Sequence, residues 1–290
     1  MESFLHQVFA GLATGGIYAS LALALVMIYQ TTHLVNFAQG EMAMFSTYLA
    51  WTMIEAGLPW WAAFVLTVFA AFVLGAAIER IVIRPVENAP VLAIVVVFIG
   101  LLLILNSLAG WLWSYTIKTF PSPFPSTPVF GQTLVSAHEL GAIGVTLVVL
   151  ALLYVFFRWT PLGLAMRAVA QNPSSSRLVG IRVGWMLALG WGLAGAIGAV
   201  AGMMVAPIVY LEPNMMGGIL LYAFAAALLG GIDSPMGAVI GGFVVGVLEN
   251  VLGAYVIGNE LKLTVALALI VGVLLVRPTG LLGSRQVTRV

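Results

Sequence analysis

The feature that most constrains the fold is a long stretch without full charge at the start of the chain. No residue between Glu2 and Glu41 carries a full charge, and residues 8–29 are almost entirely apolar or small. At 1.5 Å per residue, this segment is long enough to cross a hydrocarbon core of about 30 Å. Because the start has no basic segment, we expect a membrane span that stays in the mature chain rather than a cleaved signal peptide.

The composition of the whole chain agrees with a membrane location. Of 290 residues, 62% are hydrophobic and 7% are charged, whereas about 25% are charged in an ordinary soluble chain. The net charge of +1 provides no basic field for a nucleic-acid backbone, so we expect no nucleic-acid partner. The lack of cysteine excludes disulfides, zinc–cysteine sites, iron–sulfur clusters and thiol catalysis.

We predict an all-α integral membrane protein, a bundle of about eight or nine transmembrane helices within a single transmembrane domain over residues 1–290. The candidate spans are 8–29, 39–56, 60–83, 91–113, 139–158, 184–210, 215–232, 235–257 and 262–276. The count falls to eight if 39–56, which opens on Gln39 and Glu41, does not cross the membrane, or if the 215–257 region holds a re-entrant piece.

The distribution of basic residues predicts the orientation. Arginines follow the third span, surround the connection between the fifth and sixth, and close the chain: Arg80, Arg84, Arg158, Arg167, Arg177, Arg182, Arg277, Arg285 and Arg289. Since basic loops stay in the cytoplasm, we expect an external amino terminus and a cytoplasmic carboxyl terminus. The loop at about 114–138, with four prolines up to Pro128, should then be external and not helical.

The cytoplasmic connection at about 159–183 has the pattern of two short helices. Thr160 and Pro161 suit the start of a helix that carries Leu162, Met166 and Val169 on one face, with Arg167 and Gln171 on another. Asn172 before Pro173 should break it, and Ser174 or Ser175 can cap a second turn through Arg177 to Ile181. Such a loop could lie on the membrane surface, held by lipid headgroups, or dock into a soluble partner.

Four separated blocks make the chain recognisable. They are residues 11–25 (GLATGGIYASLALAL) with 36–44 (NFAQGEMAM), 167–183 (RAVAQNPSSSRLVGIRV), 229–242 (LGGIDSPMGAVIGG) and 277–283 (RPTGLLG). In this order they resemble bacterial branched-chain amino acid ABC transporter permeases of the LivH/LivM type, closer to the LivH branch.

The resemblance implies a permease subunit of an ATP-driven importer in the bacterial inner membrane. Its implied partners are two cytoplasmic ATPase subunits, a second permease subunit, either LivM-type or a second copy, and a periplasmic substrate-binding protein. The chain has no G-x-x-x-x-G-K-[ST] loop, so we expect ATP and Mg²⁺ to be handled by partners and this chain to be no enzyme. The 159–183 segment would be the coupling loop, with Arg167, Gln171, Asn172, Arg177 and Gly180 as its functional residues.

Polar residues in or between the spans are candidates for the translocation path, because a charge in the bilayer requires a partner or water. We assign to this path Asn36, Gln39, Glu41, Glu249 and Asn250, with Asn106 as a further polar residue. Hydrogen bonding between helices is the alternative for each of these residues, Glu249 included. The group at 36–41 differs from the others, because a chain break between spans can line a cavity with backbone carbonyls and helix-end amides. Such groups can bind the two charges of a zwitterion.

Two further patterns concern packing and metal binding. Glycines recur at about four-residue steps, as at Gly11 and Gly15 or Gly237 and Gly241, which predicts close helix packing. The histidines, His6, His33 and His138, have no metal-ligand spacing, so we assign no metal.

The other functional class that the residues allow is a stand-alone proton-coupled secondary transporter or channel for small polar solutes. In that case Glu249 or Glu41 would carry protons, and the basic loop would only hold the membrane surface. An intramembrane enzyme has little support, since H-E-x-x-H and G-x-S-x-G are absent. The cargo stays open between branched-chain and other amino acids, urea and amides.

Overall fold

The computed structural model describes residues 2–32, 34–125 and 136–283 and is all-helical within them apart from loops and one isolated bridge. The helices are α1 (Glu2–Thr32), α2 (Gln39–Glu55), α3 (Trp60–Ile78), α4 (Val91–Trp113), α5 (Ala137–Trp159), α6 (Pro161–Gln171), α7 (Pro173–Leu178), α8 (Val183–Val209), α9 (Met216–Gly230), α10 (Pro235–Leu252) and α11 (Lys262–Val276). His33, Pro128, Arg285 and Arg289, which entered the sequence predictions, lie outside the described residues.

Within the described ranges, six helices are long and apolar enough to cross a membrane, which confirms the prediction of an all-α integral membrane protein. They correspond to the predicted spans 8–29, 60–83, 91–113, 139–158, 184–210 and 235–257. The segments predicted at 39–56, 215–232 and 262–276 form helices of 17, 15 and 15 residues. A helix of 15 residues is about 22 Å long and falls short of the hydrocarbon core. The count of eight or nine crossings and the positions of the termini stay predictions.

The chain folds into two compact units. The first unit comprises Met1–Val26, Ser122–Thr146 and Gly217–Val290, and the second comprises Met27–Pro121 and Leu147–Met216. The division runs through α1 and α5, so neither unit is a continuous stretch of chain. The prediction of a single permease domain over residues 1–290 stays a prediction.

In the first unit, glycines let α1 and α10 approach backbone to backbone. A Cβ added at Gly11 would lie 2.7 Å from the Val247 Cα, and one added at Gly15 would lie 2.9 Å from the Phe243 Cα. Real Cβ atoms do not come so close to a neighbouring backbone, so each position requires glycine. The close packing predicted from the glycine spacing is confirmed at this contact.

We expect Gly15→Ala to destabilise the protein because a methyl group there must push α1 and α10 apart, at a cost of about 1–3 kcal/mol. Gly144 is the matched control: it lies on α5 in the same unit, and a Cβ there would meet nothing within 4 Å. Gly144→Ala should be neutral or slightly stabilising, since alanine is the better helix former. Thermal unfolding in mild detergent measures both variants, and equal melting temperatures would contradict the assigned contact.

In the second unit, α8 packs against α2 and α3 through small residues. A Cβ at Gly75 of α3 would strike the backbone of Trp191 in α8, and one at Gly195 would strike that of Ala71. Trp191 is fully buried, and its ring stacks on Phe98 of α4 with 5.9 Å between the ring centres. The backbones of α3 and α8 are therefore in direct contact, and we expect these two helices to move together.

Candidate translocation site and coupling loop

The site is centred on the break between α1 and α2. Asn36 in this break is fully buried, and its Oδ1 accepts a hydrogen bond from the Ala38 amide at 3.0 Å. Gln39, the first residue of α2, is also fully buried and donates from Nε2 to the Ala194 carbonyl of α8 at 3.0 Å. Two of the predicted path residues thus hold the start of α2 in place.

Glu41, in the first turn of α2, forms a polar cluster with α4 and the loop after α8. Its carboxylate is 7% exposed and lies 3.5 Å from the Asn106 Nδ2. The same Nδ2 donates to the Pro213 carbonyl at 3.0 Å and to the Asn214 Oδ1 at 3.1 Å. Among the described residues, Glu41 has no positively charged partner. The cluster therefore contains an acid whose charge is not balanced by another side chain.

The loop that brings Asn214 into this cluster is held by a short backbone pairing. Lys118 and Leu211 form an antiparallel bridge with two N–H to carbonyl hydrogen bonds of 2.9 Å. The Lys118 Nζ lies 4.7 Å from the centre of the Trp51 ring of α2, in the geometry of a cation–π contact. These contacts tie the loop to α2, close in sequence to Pro213 and Asn214.

The contacts of α2 show that its first turn lies beside the middle parts of α8 and α4, not beside their ends. Ala194 lies 11 residues after Val183, the first residue of α8, and Asn106 lies 15 residues after Val91, the first residue of α4. Ala194 is therefore about 16 Å from the start of α8, which is about 40 Å long, and Asn106 is about 22 Å from the start of α4, which is about 34 Å long. At such a depth lipid offers no hydrogen bonds, yet Asn214 is exposed and Asn106 is partly exposed. Beyond the hydrogen bond between these two residues, their exposed polar atoms require water or a further polar partner there.

Sequence reasoning missed two groups at this site. Asn214 was not singled out, because nothing in its spacing links the loop after α8 with α4. Tyr48 was also missed: it lies on the same face of α2 as Glu41, seven residues further on, and is fully buried. Its hydroxyl has no hydrogen-bond partner among the described residues. Few buried hydroxyls in folded proteins lack a hydrogen-bond partner.

The other predicted path residues, Glu249 and Asn250, lie in the first unit and belong to a network between helices. The Tyr18 hydroxyl of α1 donates to the Glu249 Oε2 at 2.7 Å, and the Tyr18 ring stacks on Tyr222 of α9 at 4.9 Å. This partner set matches the interhelical alternative.

Asn250 extends the same network. Its Nδ2 donates to the Thr14 Oγ1 at 3.0 Å, and its Oδ1 accepts from the Lys262 Nζ at 3.2 Å. The polar atoms of α10 are thus engaged by α1 and α11. A role of Glu249 and Asn250 in the translocation path stays a prediction.

The predicted coupling loop, residues 159–183, has the expected order of helix, break and helix. The Thr160 hydroxyl accepts from the Gly163 amide at 3.0 Å, with Pro161 at the first helical position of α6. The second cap differs from the prediction: Asn172, rather than Ser174 or Ser175, accepts from the Ser175 amide at 2.9 Å and starts α7. Asn172 precedes Pro173 and has extended geometry, so its side chain is in the right position to cap.

The faces of α6 are also corrected in one respect. Met166 and Val169 are buried as predicted, but Leu162 is 48% exposed and Gly163 takes the inner position. Gly163 lies against the backbone of Phe156, where no side chain fits, because the chain turns back sharply after α5. The predicted coupling residues all lie on the exposed surface: Arg167, Gln171, Asn172, Arg177 and Gly180.

The inner side of α6 contacts the end of α1. A narrow crevice is lined by Met27 and Gln30 of α1, Phe157 of α5, and Met166, Arg167 and Ala170 of α6. A few residues after Gln30, α1 ends and the break with Asn36 begins. Within the second unit, the predicted coupling loop therefore contacts the end of α1, and the chain continues from this end through the break into the part of α2 that carries Glu41.

The chain is similar to known transport permeases over nearly its whole length. A family model described as "Branched-chain amino acid transport system / permease component" matches residues 7–274. The high-affinity branched-chain amino acid transport system permease protein LivH of Escherichia coli K12 is 33% identical over 99% of this chain and 98% of that protein. The corresponding protein BraD of Pseudomonas aeruginosa is also 33% identical, with the same coverage. The solved structure of PsaBC from Streptococcus pneumoniae in complex with Fab aligns at 14% identity and a TM-score of 0.46, over 96% of this chain and 91% of that chain.

Proposed function

Because the chain belongs to the family of permease components of branched-chain amino acid transport systems, we propose that it is the membrane permease subunit of an ATP-binding-cassette importer. Its cargo is branched-chain or related small amino acids, which it moves into the cytoplasm. The observation that carries this proposal is the family match over residues 7–274, supported by similarity along nearly the whole length of the relatives.

The proposed assembly places this chain in the bacterial inner membrane with eight or nine crossings, an external amino terminus and a cytoplasmic carboxyl terminus. Two cytoplasmic ATPase subunits hydrolyse ATP with Mg²⁺. A second permease, LivM-type or a second copy of this chain, completes the path, and a periplasmic binding protein delivers the cargo.

In this assembly the coupling loop docks on an ATPase subunit. The exposure of Arg167, Gln171 and Arg177, together with the burial of Met166 and Val169, supports an α6 with an inner face fixed to the bundle and an outer face free for a partner. Movement of α6 then shifts the end of α1 and the break that follows it.

The polar cluster is the proposed binding position on the path. The Glu41 carboxylate attracts the ammonium group of an amino acid by a charge-assisted hydrogen bond. Asn106, Asn214 and the Tyr48 hydroxyl offer further donors and acceptors as the solute passes. A cluster of this kind exchanges its internal hydrogen bonds for bonds to the solute, which keeps binding weak enough for release.

The proton-coupled carrier is not favoured, because the relatives are permease proteins of transport systems. Uptake of labelled leucine into energised native cells separates the two readings. We expect uptake to continue when a protonophore collapses the proton gradient but ATP is maintained, and to stop when ATP is depleted. Uptake that follows the gradient and ignores ATP would overturn the proposal.

A further inference from the structure

Directly after α3 the chain forms a π-helical turn, Glu79–Ile83, which is followed by Arg84. The Arg84 amide donates to the Glu79 carbonyl, which is the hydrogen bond between residues five apart that defines this helix type. In an α-helix with 3.6 residues per turn, residues 79 and 84 would point in different directions. The π-helical turn instead places their side chains one above the other.

This geometry creates a two-point ion pair. The Arg84 Nε donates to one Glu79 carboxylate oxygen at 3.1 Å, and Nη2 donates to the other at 2.7 Å. Glu79 is only 2% exposed, and removing one partner of a buried ion pair is strongly destabilising. The pair is the one ion pair found among residues 2–32, 34–125 and 136–283.

Arg80 and Arg84 of the same segment also contact the start of α8. The Arg84 Nη2 also donates to the Gly184 carbonyl at 2.5 Å. The guanidinium lies directly over this glycine, where an added Cβ would be 3.2 Å from the Arg84 Cζ. Arg80 lies 5.7 Å from the centre of the Trp185 ring, in a cation–π contact. Residues 184 and 185 are the first ones after the coupling loop.

We propose that Glu79, Arg80 and Arg84 form a clamp that fixes the outgoing end of the coupling loop to α3, and that this clamp positions the loop for energy coupling. The inference rests on the proposed permease function. With the clamp closed, a push on the loop moves α3 and α8 as one body, since their backbones are in direct contact. The movement reaches the site because the Ala194 carbonyl of α8 holds Gln39.

Opening the clamp should therefore uncouple the transporter rather than stop its ATPase. In Glu79→Gln the amide can accept only one of the two guanidinium hydrogen bonds and has no charge to hold Arg84. The experiment reconstitutes the complete complex in liposomes and measures the number of leucine molecules transported per ATP hydrolysed. We expect the ratio to fall about threefold or more, with the ATPase rate within about twofold of wild type.

The matched control is Glu87→Gln, the same change on an exposed carboxylate eight residues further along, which should keep the wild-type ratio. If Glu79→Gln does not fold, Arg80→Gln is measured instead, because it removes only the contact with Trp185. We expect it to lower the number of leucine molecules transported per ATP about twofold. If the folded variants transport as much leucine per ATP as wild type, the clamp's role in coupling is overturned, but the proposed permease function is not. A wild-type complex without ATP-driven transport overturns the proposed function, and the clamp's coupling role with it.

Discussion

Arg167→Glu should reduce uptake of a branched-chain amino acid by about tenfold or more without reducing the amount of protein in the membrane. Arg167 lies on the exposed side of α6 and also borders the crevice with Met27 and Gln30. Reversing its charge at a docking surface replaces an attraction by a repulsion, which can cost several kcal/mol. The ATPases would then turn over without moving α1. Uptake of labelled leucine into native cells whose own copy of the chain has been replaced measures the effect.

Arg158→Glu is the matched control for this prediction. Arg158 is exposed at the end of α5, so the substitution changes the net charge and the charge of the cytoplasmic loop equally, but it leaves α6 and α7 untouched. Uptake should stay within about twofold of wild type. If the loop merely held the membrane surface, both variants would lose the same attraction to lipid headgroups and behave alike, and the docking role would be wrong.

Glu41→Gln should lower uptake by a similar factor through a different step. The substitution keeps the shape of the side chain and its contact with Asn106 but removes the one charge of the polar cluster. A hydrogen bond to a charged group contributes roughly 1.5–3 kcal/mol, and each 1.4 kcal/mol is a factor of ten, so the loss should be at least about tenfold. The ATPase subunits should still assemble with the variant and hydrolyse ATP.

Glu55→Gln supplies the comparison, since Glu55 is exposed at the far end of the same helix. At 1.5 Å per residue, the 14 residues between them place it about 21 Å from Glu41. Its uptake should equal that of wild type. Equal uptake in Glu41→Gln and Glu55→Gln would show that the translocation path does not use the carboxylate at the start of α2.

The coupling loop illustrates what could be predicted from the sequence. Thr160 and Pro161 act within one helical turn, and the structure confirms the start of α6. The second cap was wrong because Asn172 and the serines after it compete for the same task, and the extended geometry before Pro173 favours Asn172. Leu162 was placed on the inner face because helical periodicity does not contain the sharp turn that brings α6 against α5 at Gly163.

The candidate site shows the limit of local patterns more clearly. The break after α1 could be recognised from Asn36, Gln39 and Glu41 alone, since polar residues between two apolar segments are a local signal. Asn214 joins Asn106 across 108 residues of chain, and only the packed helices bring them together. The clamp could not be predicted either, because arginines after a span indicate only the topology, and the contact of Arg84 with Gly184 forms only when the helices pack.

We propose that separate ATPases drive this permease through the coupling loop. The most direct test isolates the chain from its native membrane in mild detergent, identifies every protein that accompanies it, and measures ATP hydrolysis together with leucine transport after reconstitution. We predict an ATPase and a permease partner, and ATP-driven transport that is lost in Arg167→Glu. A chain that is recovered alone and still transports leucine by itself would contradict the account.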